Sequence, residues 1–148
     1  MTQVSIMKIE NAGVLVTGAK RGIGQAFVRE LLARGAKKVY AGTRNPLAAT
    51  TAGVQELRLD VNQPDDVAGA VAMAPDVTLV INNAGIAQPG GFLGEDSEEV
   101  ARRIFESDFF AMLRVWHNNR AQPWLPGRSN LDLALVIPTQ PHLLVARG

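Results

Sequence analysis

The stretch Val14-Leu-Val-Thr-Gly-Ala-Lys-Arg-Gly-Ile-Gly24 decides how the 148-residue sequence is read. It opens as a short β-branched and leucine run, the composition of a strand covered on both faces. It then breaks into Gly18, Gly22 and Gly24 before a helical pattern begins. Glycine lacks a Cβ, so the backbone can turn sharply and a pyrophosphate can approach the free N–H groups at the helix start. Gly24, just inside the helix, lets that helix lie close against the strand. The spacing is Gly-x3-Gly-x-Gly, which differs from the commonest Gly-x-Gly-x2-Gly fingerprint. A glycine-rich turn alone is a weak signal, with an ordinary strand-to-helix turn as the alternative. The strand and helix patterns on either side favour the nucleotide reading.

Outward from that turn, residues 13–17 form the first predicted strand and 22–33 the first helix. In the helix Ile23, Phe27 and Leu31 recur at i, i+4 and i+8, Val28 and Leu32 widen the apolar stripe, and Gly35 is a stop signal. Residues 37–42 read as a second strand that ends in the Thr43-Arg-Asn-Pro46 turn, and a weak alanine and threonine segment follows with one or two candidate helical turns. Residues 54–61 alternate like a third strand ending at Asp60. A helix over 64–73 starts with proline in its first turn and acids at its positive end. The apolar run over 76–82 predicts a fourth strand covered on both faces.

The resulting β-α-β-α-β-α-β order predicts a parallel, Rossmann-like α/β sheet in the order 3-2-1-4 with helices on both faces. Its ligand site is expected at the carboxyl ends of the strands, where Gly18, Thr43, Asp60 and Asn82 fall. Residues 86–91 read as a loop. Ser97-Glu-Glu opens a helix whose apolar positions Val100, Ile104, Phe109, Leu113 and Trp116 carry it to about residue 116, with core packing expected for Phe109, Phe110 and Trp116. From His117 the chain reads as irregular, and 131–137 is a candidate fifth strand stopped by Pro138. The expected organisation is a dinucleotide-binding domain over 1–116 and a divergent tail over 117–148.

Composition narrows the function classes. A hydrophobic share of 47%, a charged share of 20% and a net charge of +1 describe a globular chain with no case for nucleic acid or an anionic membrane as partner. Zero cysteines exclude disulfides, thiolate metal sites and thiol nucleophiles. The first ten residues lack the apolar core of a signal peptide, and no apolar run reaches ~18 residues, so a cytoplasmic location is expected. His117 and His142 have no acid at metal-ligand spacing, and no metal site is expected.

With Thr-Gly-x3-Gly-Ile-Gly at 17–24, Thr43-Arg44, Asp60-Val61 and Asn82-Asn-Ala-Gly85 in this order, the sequence resembles the amino-terminal half of a short-chain dehydrogenase/reductase over about residues 10–115. The resemblance implies that Gly18, Arg21, Gly22, Ile23 and Gly24 hold a dinucleotide pyrophosphate. It implies that Asp60 accepts a hydrogen bond from the adenine amino group beside the Val61 backbone, and that Asn82, Ala84 and Gly85 flank the ribose. Thr43 stands where the family's NAD-preferring members carry an aspartate. Arg44 and Arg21 can give charge-assisted hydrogen bonds to a 2′-phosphate, which points to NADP(H) over NAD(H).

The family's chemistry needs a tyrosine as general acid/base and a lysine four residues later. The only tyrosine here is Tyr40, inside the second strand, and no lysine follows Lys38, so no catalytic residue is assigned. Asp108 takes the place of the family's relay asparagine, and neither Ser129 nor Thr139 lies in a matching serine motif. The loss of resemblance after Trp116 suggests a truncated or frameshifted carboxyl-terminal part. The expected function is an NADP(H)-dependent oxidoreductase acting on a small-molecule carbonyl or alcohol, with the cofactor half retained. The alternatives are a non-catalytic dinucleotide-binding or interaction module, pairing with a second copy or a full-length relative through the 97–116 helix, and a non-functional fragment.

Overall fold

The structure, a computed structural model, describes residues 8–47, 51–86, 96–120 and 132–135. Strand β1 (Gly13–Thr17) leads through the glycine turn into helix α1 (Gly22–Ala33), then β2 (Lys38–Thr43) and β3 (Val54–Arg58). Helix α2 (Pro64–Met73), β4 (Val77–Asn82), α3 (Ser97–Phe105), a π turn (Glu106–Phe110), α4 (Ala111–Arg120) and β5 (Asp132–Leu135) complete the described order. The five strands pair in the order β3-β2-β1-β4-β5, and every pairing is parallel. The candidate strand at 131–137 is thus the fifth strand of the sheet, beside β4.

A strand's side chains alternate between faces, and here each face meets its own helices. Leu15, Tyr40, Leu57 and Val80 join Val67 and Ala70 of α2 and Ala111 and Val115 of α4 in one core. Val14, Val16, Val39, Ala41, Leu79 and Ile81 pack with Val28 and Leu31 of α1 in the other. A side chain of this size contributes roughly 1.5–3 kcal/mol when fully buried, so the two layers together dominate stability. The carboxyl ends of β1–β4 are left clear for the site.

Several elements differ from their sequence reading. The buried row of α1 is Gly24, Val28 and Leu31, while Ile23 is 51% exposed. Gly24 turns its bare backbone toward the sheet, which puts Ile23 on the open side. Strand β2 lies one residue later than expected and includes Thr43, whose carbonyl accepts the Leu59 N–H at 2.7 Å. Strand β3 stops at Arg58 because the Asp60 N–H turns to a side chain of α2. Thr51 to Gly53 form a turn rather than helix, and 48–50 lie outside the described residues.

The helix expected over 97–116 is interrupted by the π turn and continues to Arg120. Its last turn gains from Asn118 and Asn119, whose amides donate to the carbonyls of Arg114 and Val115. Phe109 and Phe110 are about half exposed, at 48% and 49%, because the extra residue of the π turn rotates them away from the sheet. Trp116 is half-buried. Most of the 86–91 loop, Ser129, Thr139, His142 and the tail over 121–131 and 136–148 lie outside the described residues.

Tyr40 lies mid-strand beside Leu15, and its side chain reaches the start of β4, away from the glycine turn. Its buried hydroxyl donates to Asp76 Oδ1 at 2.5 Å, and Lys38 Nζ lies 4.5 Å from its ring centroid. Burial, with the Asp76 carboxylate beside it, pushes the phenol well above its usual range, so Tyr40 is a neutral structural donor. Tyr40→Phe is expected to cost about 1–2 kcal/mol in urea unfolding by removing this bond to a carboxylate. A loss below about 0.5 kcal/mol would show that Asp76 regains its partner from water.

Candidate functional site

All the site residues read from the sequence lie along one edge of the sheet. Gly18, Arg21, Gly22, Ile23 and Gly24 form the turn after β1, Thr43 and Arg44 end β2, Asp60 and Val61 follow β3, and Asn82, Ala84 and Gly85 end and follow β4. Parallel pairing alone brings them to the same side, since every strand points the same way.

The glycines divide by what surrounds them. Gly18 and Gly22 have positive φ, 65° and 57°. A Cβ on Gly18 would come within 2.9 Å of Ala84 Cα, and one on Gly24 within 2.2 Å of the Gly18 carbonyl oxygen. Both are therefore close-packing positions. A Cβ on Gly22 would meet no atom within 4 Å, so this glycine faces open space. Arg21 caps α1 in extended conformation without a side-chain hydrogen bond, leaving the N–H donors of the first turn free of a side-chain acceptor. An open glycine beside uncapped helix donors is the geometry that accepts an anion.

Two residues that the motif reading left unassigned hold this turn. Thr17, 1% exposed, accepts the Asn83 N–H at 3.0 Å and the Ala84 N–H at 2.9 Å on its hydroxyl oxygen. The Asn83 amide donates back to the carbonyls of Thr17 and Gly18 at 3.1 and 3.2 Å. Asn83 was visible inside the Asn-Asn-Ala-Gly stretch, but only the three-dimensional contact tells it from Asn82. Asn82 is 5% exposed, and among the described residues its amide nitrogen has no hydrogen-bond partner, as is true of the Thr43 hydroxyl. Both stand at strand ends bordering the site, and each retains hydrogen-bonding capacity.

The rim near β2 is cationic. Arg21 and Arg44 are exposed, and neither has an ion-pair partner among the described residues. Lys20 Nζ donates to the Asn45 carbonyl at 2.9 Å, and the Ala19 N–H donates to the Gly42 carbonyl at 3.1 Å, so the glycine turn is tied to the end of β2. On the far side Asp60 accepts the Asn62 N–H on Oδ1 at 3.0 Å. Its Oδ2 and the Val61 N–H have no partner among the described residues.

The π turn closes the site from behind. The Ser107 hydroxyl, in a buried residue, accepts from the Asn62 amide at 3.1 Å, and Asp108 Oδ1 accepts the Ile86 N–H at 3.0 Å. Arg114, paired with Glu106, donates to the Val61 carbonyl at 3.4 Å. One interruption in a helix thus contacts the segments after both β3 and β4. Partial burial pushes the Asp108 carboxyl above its ordinary range, against the smaller opposing effect of the Ile86 N–H. Among the described residues no group of three or more acids or histidines could hold a metal, and no helix is long and apolar enough to cross a membrane.

Thr17→Val removes the shared acceptor of two N–H groups and is expected to cost about 2–3 kcal/mol in urea unfolding. A cost under 1 kcal/mol would mean that the clasp is replaceable by solvent. For Asp108 the sign follows from its raised pKa. Below about pH 4 the carboxyl is protonated folded and unfolded, and above the folded value its charge costs stability. Asp108→Asn keeps an acceptor for Ile86 without that charge. A higher urea midpoint than wild type at pH 7 is expected, with the gain shrinking toward pH 4; a gain independent of pH would contradict the assignment.

The comparisons with known proteins agree with this geometry. The family model described as short chain dehydrogenase matches residues 12–121. A short-chain dehydrogenase of Burkholderia cenocepacia, solved in complex with NADP, is 37% identical with a TM-score of 0.72, over 77% of this chain and 49% of that one. The chain is 35% identical to a 3-oxoacyl-acyl-carrier-protein reductase of Salmonella typhimurium over 118 residues, 74% of this chain and 48% of the relative. With the D-erythrulose reductase of Gallus gallus it shares 34% over 105 residues, 68% of this chain and 42% of that protein. It spans less than half the length of each of these relatives. A parallel sheet in the order 3-2-1-4-5, a glycine turn clasped to the end of β4, and a family match over most of its length place this chain in the short-chain dehydrogenase family.

Proposed function

We propose that the chain binds NADP(H) along the carboxyl edge of its sheet and is the cofactor-binding part of an oxidoreductase acting on a small-molecule carbonyl or alcohol. The observation that carries this reading is Gly22, whose Cβ direction is open, beside the uncapped start of α1, with the cationic rim at β2 between this turn and the Asp60 loop. The pyrophosphate would sit against the turn of Gly18, Gly22, Ile23 and Gly24. Arg44 and Arg21, both without acidic partners among the described residues, would take the 2′-phosphate, with buried Thr43 in place of a carboxylate.

At the other end, Asp60 Oδ2 and the Val61 N–H form an acceptor and a donor on consecutive residues. That pair complements adenine, whose amino group donates and whose ring nitrogen accepts. Asn82, Ala84 and Gly85 would border the ribose, the Asn82 amide nitrogen having no other partner among the described residues. The groups present therefore suit the cofactor. The NADP named for the Burkholderia relative supports the choice.

When bound, the nicotinamide supplies hydride transfer, and the protein's part is to bind, orient and move a proton. The 148 residues hold no Tyr-x3-Lys pair. The proposed consequence is binding with little or no turnover, since loss of general acid/base catalysis costs roughly 10²–10⁴-fold. Residues 1–116 would act as the binding domain, and the divergent tail would add no catalytic group.

A second reading is a non-catalytic module. It is favoured by the exposed Phe105, Phe109 and Phe110 on the 97–116 helix, where a second copy or a full-length relative could pair.

Parallel titration of the 148-residue chain with NADPH and NADH, read by nicotinamide fluorescence, tests both readings. Tighter NADPH binding is expected, with Arg44→Ala lowering NADPH affinity about tenfold and leaving NADH affinity within about twofold. A concentration-dependent dimer in sedimentation that Phe109→Ala dissolves favours the module, and a monomer with weak carbonyl turnover favours the oxidoreductase part. Failure to bind either nucleotide would overturn both.

A further inference from the structure

The loop after β3 depends on a carboxylate that stands outside the proposed ligand contacts. Asp66, in the first turn of α2, accepts the Asp60 N–H on Oδ2 at 3.1 Å and Arg58 Nε on Oδ1 at 3.1 Å. Its side chain is 17% exposed, against 69% for Arg58, so Asp66 is the inner partner of that ion pair. The Asp60 N–H holds the Asp66 carboxyl below its usual range, with Arg58 acting in the same direction, and the group is ionised at neutral pH.

Asp60 is fixed at its other ends as well. Its carbonyl accepts the Gln63 N–H at 2.9 Å, and its Oδ1 accepts the Asn62 N–H. The main-chain N–H, the main-chain carbonyl and one carboxylate oxygen of Asp60 are thereby committed. One oxygen, Oδ2, remains, and on the next residue the Val61 N–H, both without a partner among the described residues. The acceptor and donor can face a base in one fixed order only while the backbone of Asp60 is held, and among the described residues Asp66 alone holds its N–H.

We infer that Asp66 is a positioning residue that sets the base selectivity of the dinucleotide site by fixing Asp60 for adenine. The inference rests on the adenine role proposed above for Asp60. Hypoxanthine tests it well, because exchanging the amino group for a carbonyl reverses the pattern: the ring nitrogen becomes a donor and the exocyclic atom an acceptor. Against a held Asp60 oxygen and Val61 N–H, both hydrogen bonds are then lost. Against a loosened loop the two bases bind alike. A residue that only starts α2 would affect stability and all nucleotides equally.

The experiment is titration of the full chain with NADPH, with its hypoxanthine analogue and with NADH, for wild type, Asp66→Ala and Arg58→Ala. Wild type is expected to prefer adenine over hypoxanthine by at least about tenfold, as a site built on paired hydrogen bonds rejects a ligand that leaves them unmade. Asp66→Ala is expected to bring that ratio within about threefold while leaving the NADPH-to-NADH ratio unchanged, because the cationic rim is untouched. Arg58→Ala, at a residue whose side chain is 69% exposed, is expected to lower the base ratio in the same direction by a smaller factor.

An Asp66→Ala chain that keeps the wild-type base ratio would overturn the inference. So would one that loses both ratios by the same factor. If Asp66→Ala fails to fold, an unchanged base ratio in Arg58→Ala overturns it. A wild type that binds NADPH without base preference removes the adenine role of Asp60 and this inference with it, leaving the proposed cofactor in place. A wild type that binds no nucleotide removes both.

Discussion

The hydroxyl oxygen of Thr17 accepts two backbone N–H groups from the segment after β4, and the Asn83 amide returns two hydrogen bonds to the carbonyls of Thr17 and Gly18. The rest of the site depends on this clasp. It joins the ends of two adjacent strands where the ladder has run out, and it satisfies backbone groups that a strand end would otherwise leave bare. Because Thr17 is buried, water cannot substitute for it. The glycine turn is therefore held in shape by side-chain chemistry and not by the sheet alone.

The glycines follow from the clasp. With β4's continuation drawn against the turn, there is no room for a Cβ on Gly18 or Gly24, where the nearest atoms belong to backbone or to the clasping Asn83. Gly22 differs, being free of neighbours and in the left-handed region. Close approach dictates glycine at Gly18 and Gly24, with positive φ adding to it at Gly18, and at Gly22 the backbone conformation alone does. The same residue type records a packing constraint in one place and an open approach in another.

The π turn is the second organising feature. Helices α3 and α4 would run past the sheet edge as one rod, but the added residue lets Ser107 and Asp108 turn toward the segments after β3 and β4. The same rotation leaves Phe109 and Phe110 half exposed. A single distortion therefore both braces the site and creates an apolar outer face, at the modest cost of one strained turn.

The sequence by itself determined the order of elements, the parallel sheet and the edge on which the site lies. Those follow from short-range physics: apolar runs of strand length, a 3.6-residue stripe, glycine and proline at the turns, and the rule that parallel strands gather their ends on one side. The fifth strand was legible only as a candidate, because a short run in an irregular tail carries little periodicity, and its pairing with β4 decided it. Tertiary structure alone assigned Ile23 to the open face, Thr17 and Asn83 to the clasp, Asp66 to Asp60, and the π turn to the middle of a helix that reads as continuous. Most of these are contacts between residues distant in sequence or a local distortion repaid by such contacts, and the Asp66–Asp60 bond, six residues apart, depends on how α2 folds back on the loop before it. Nothing in a window of neighbouring residues encodes which atom a hydroxyl or carboxylate will meet.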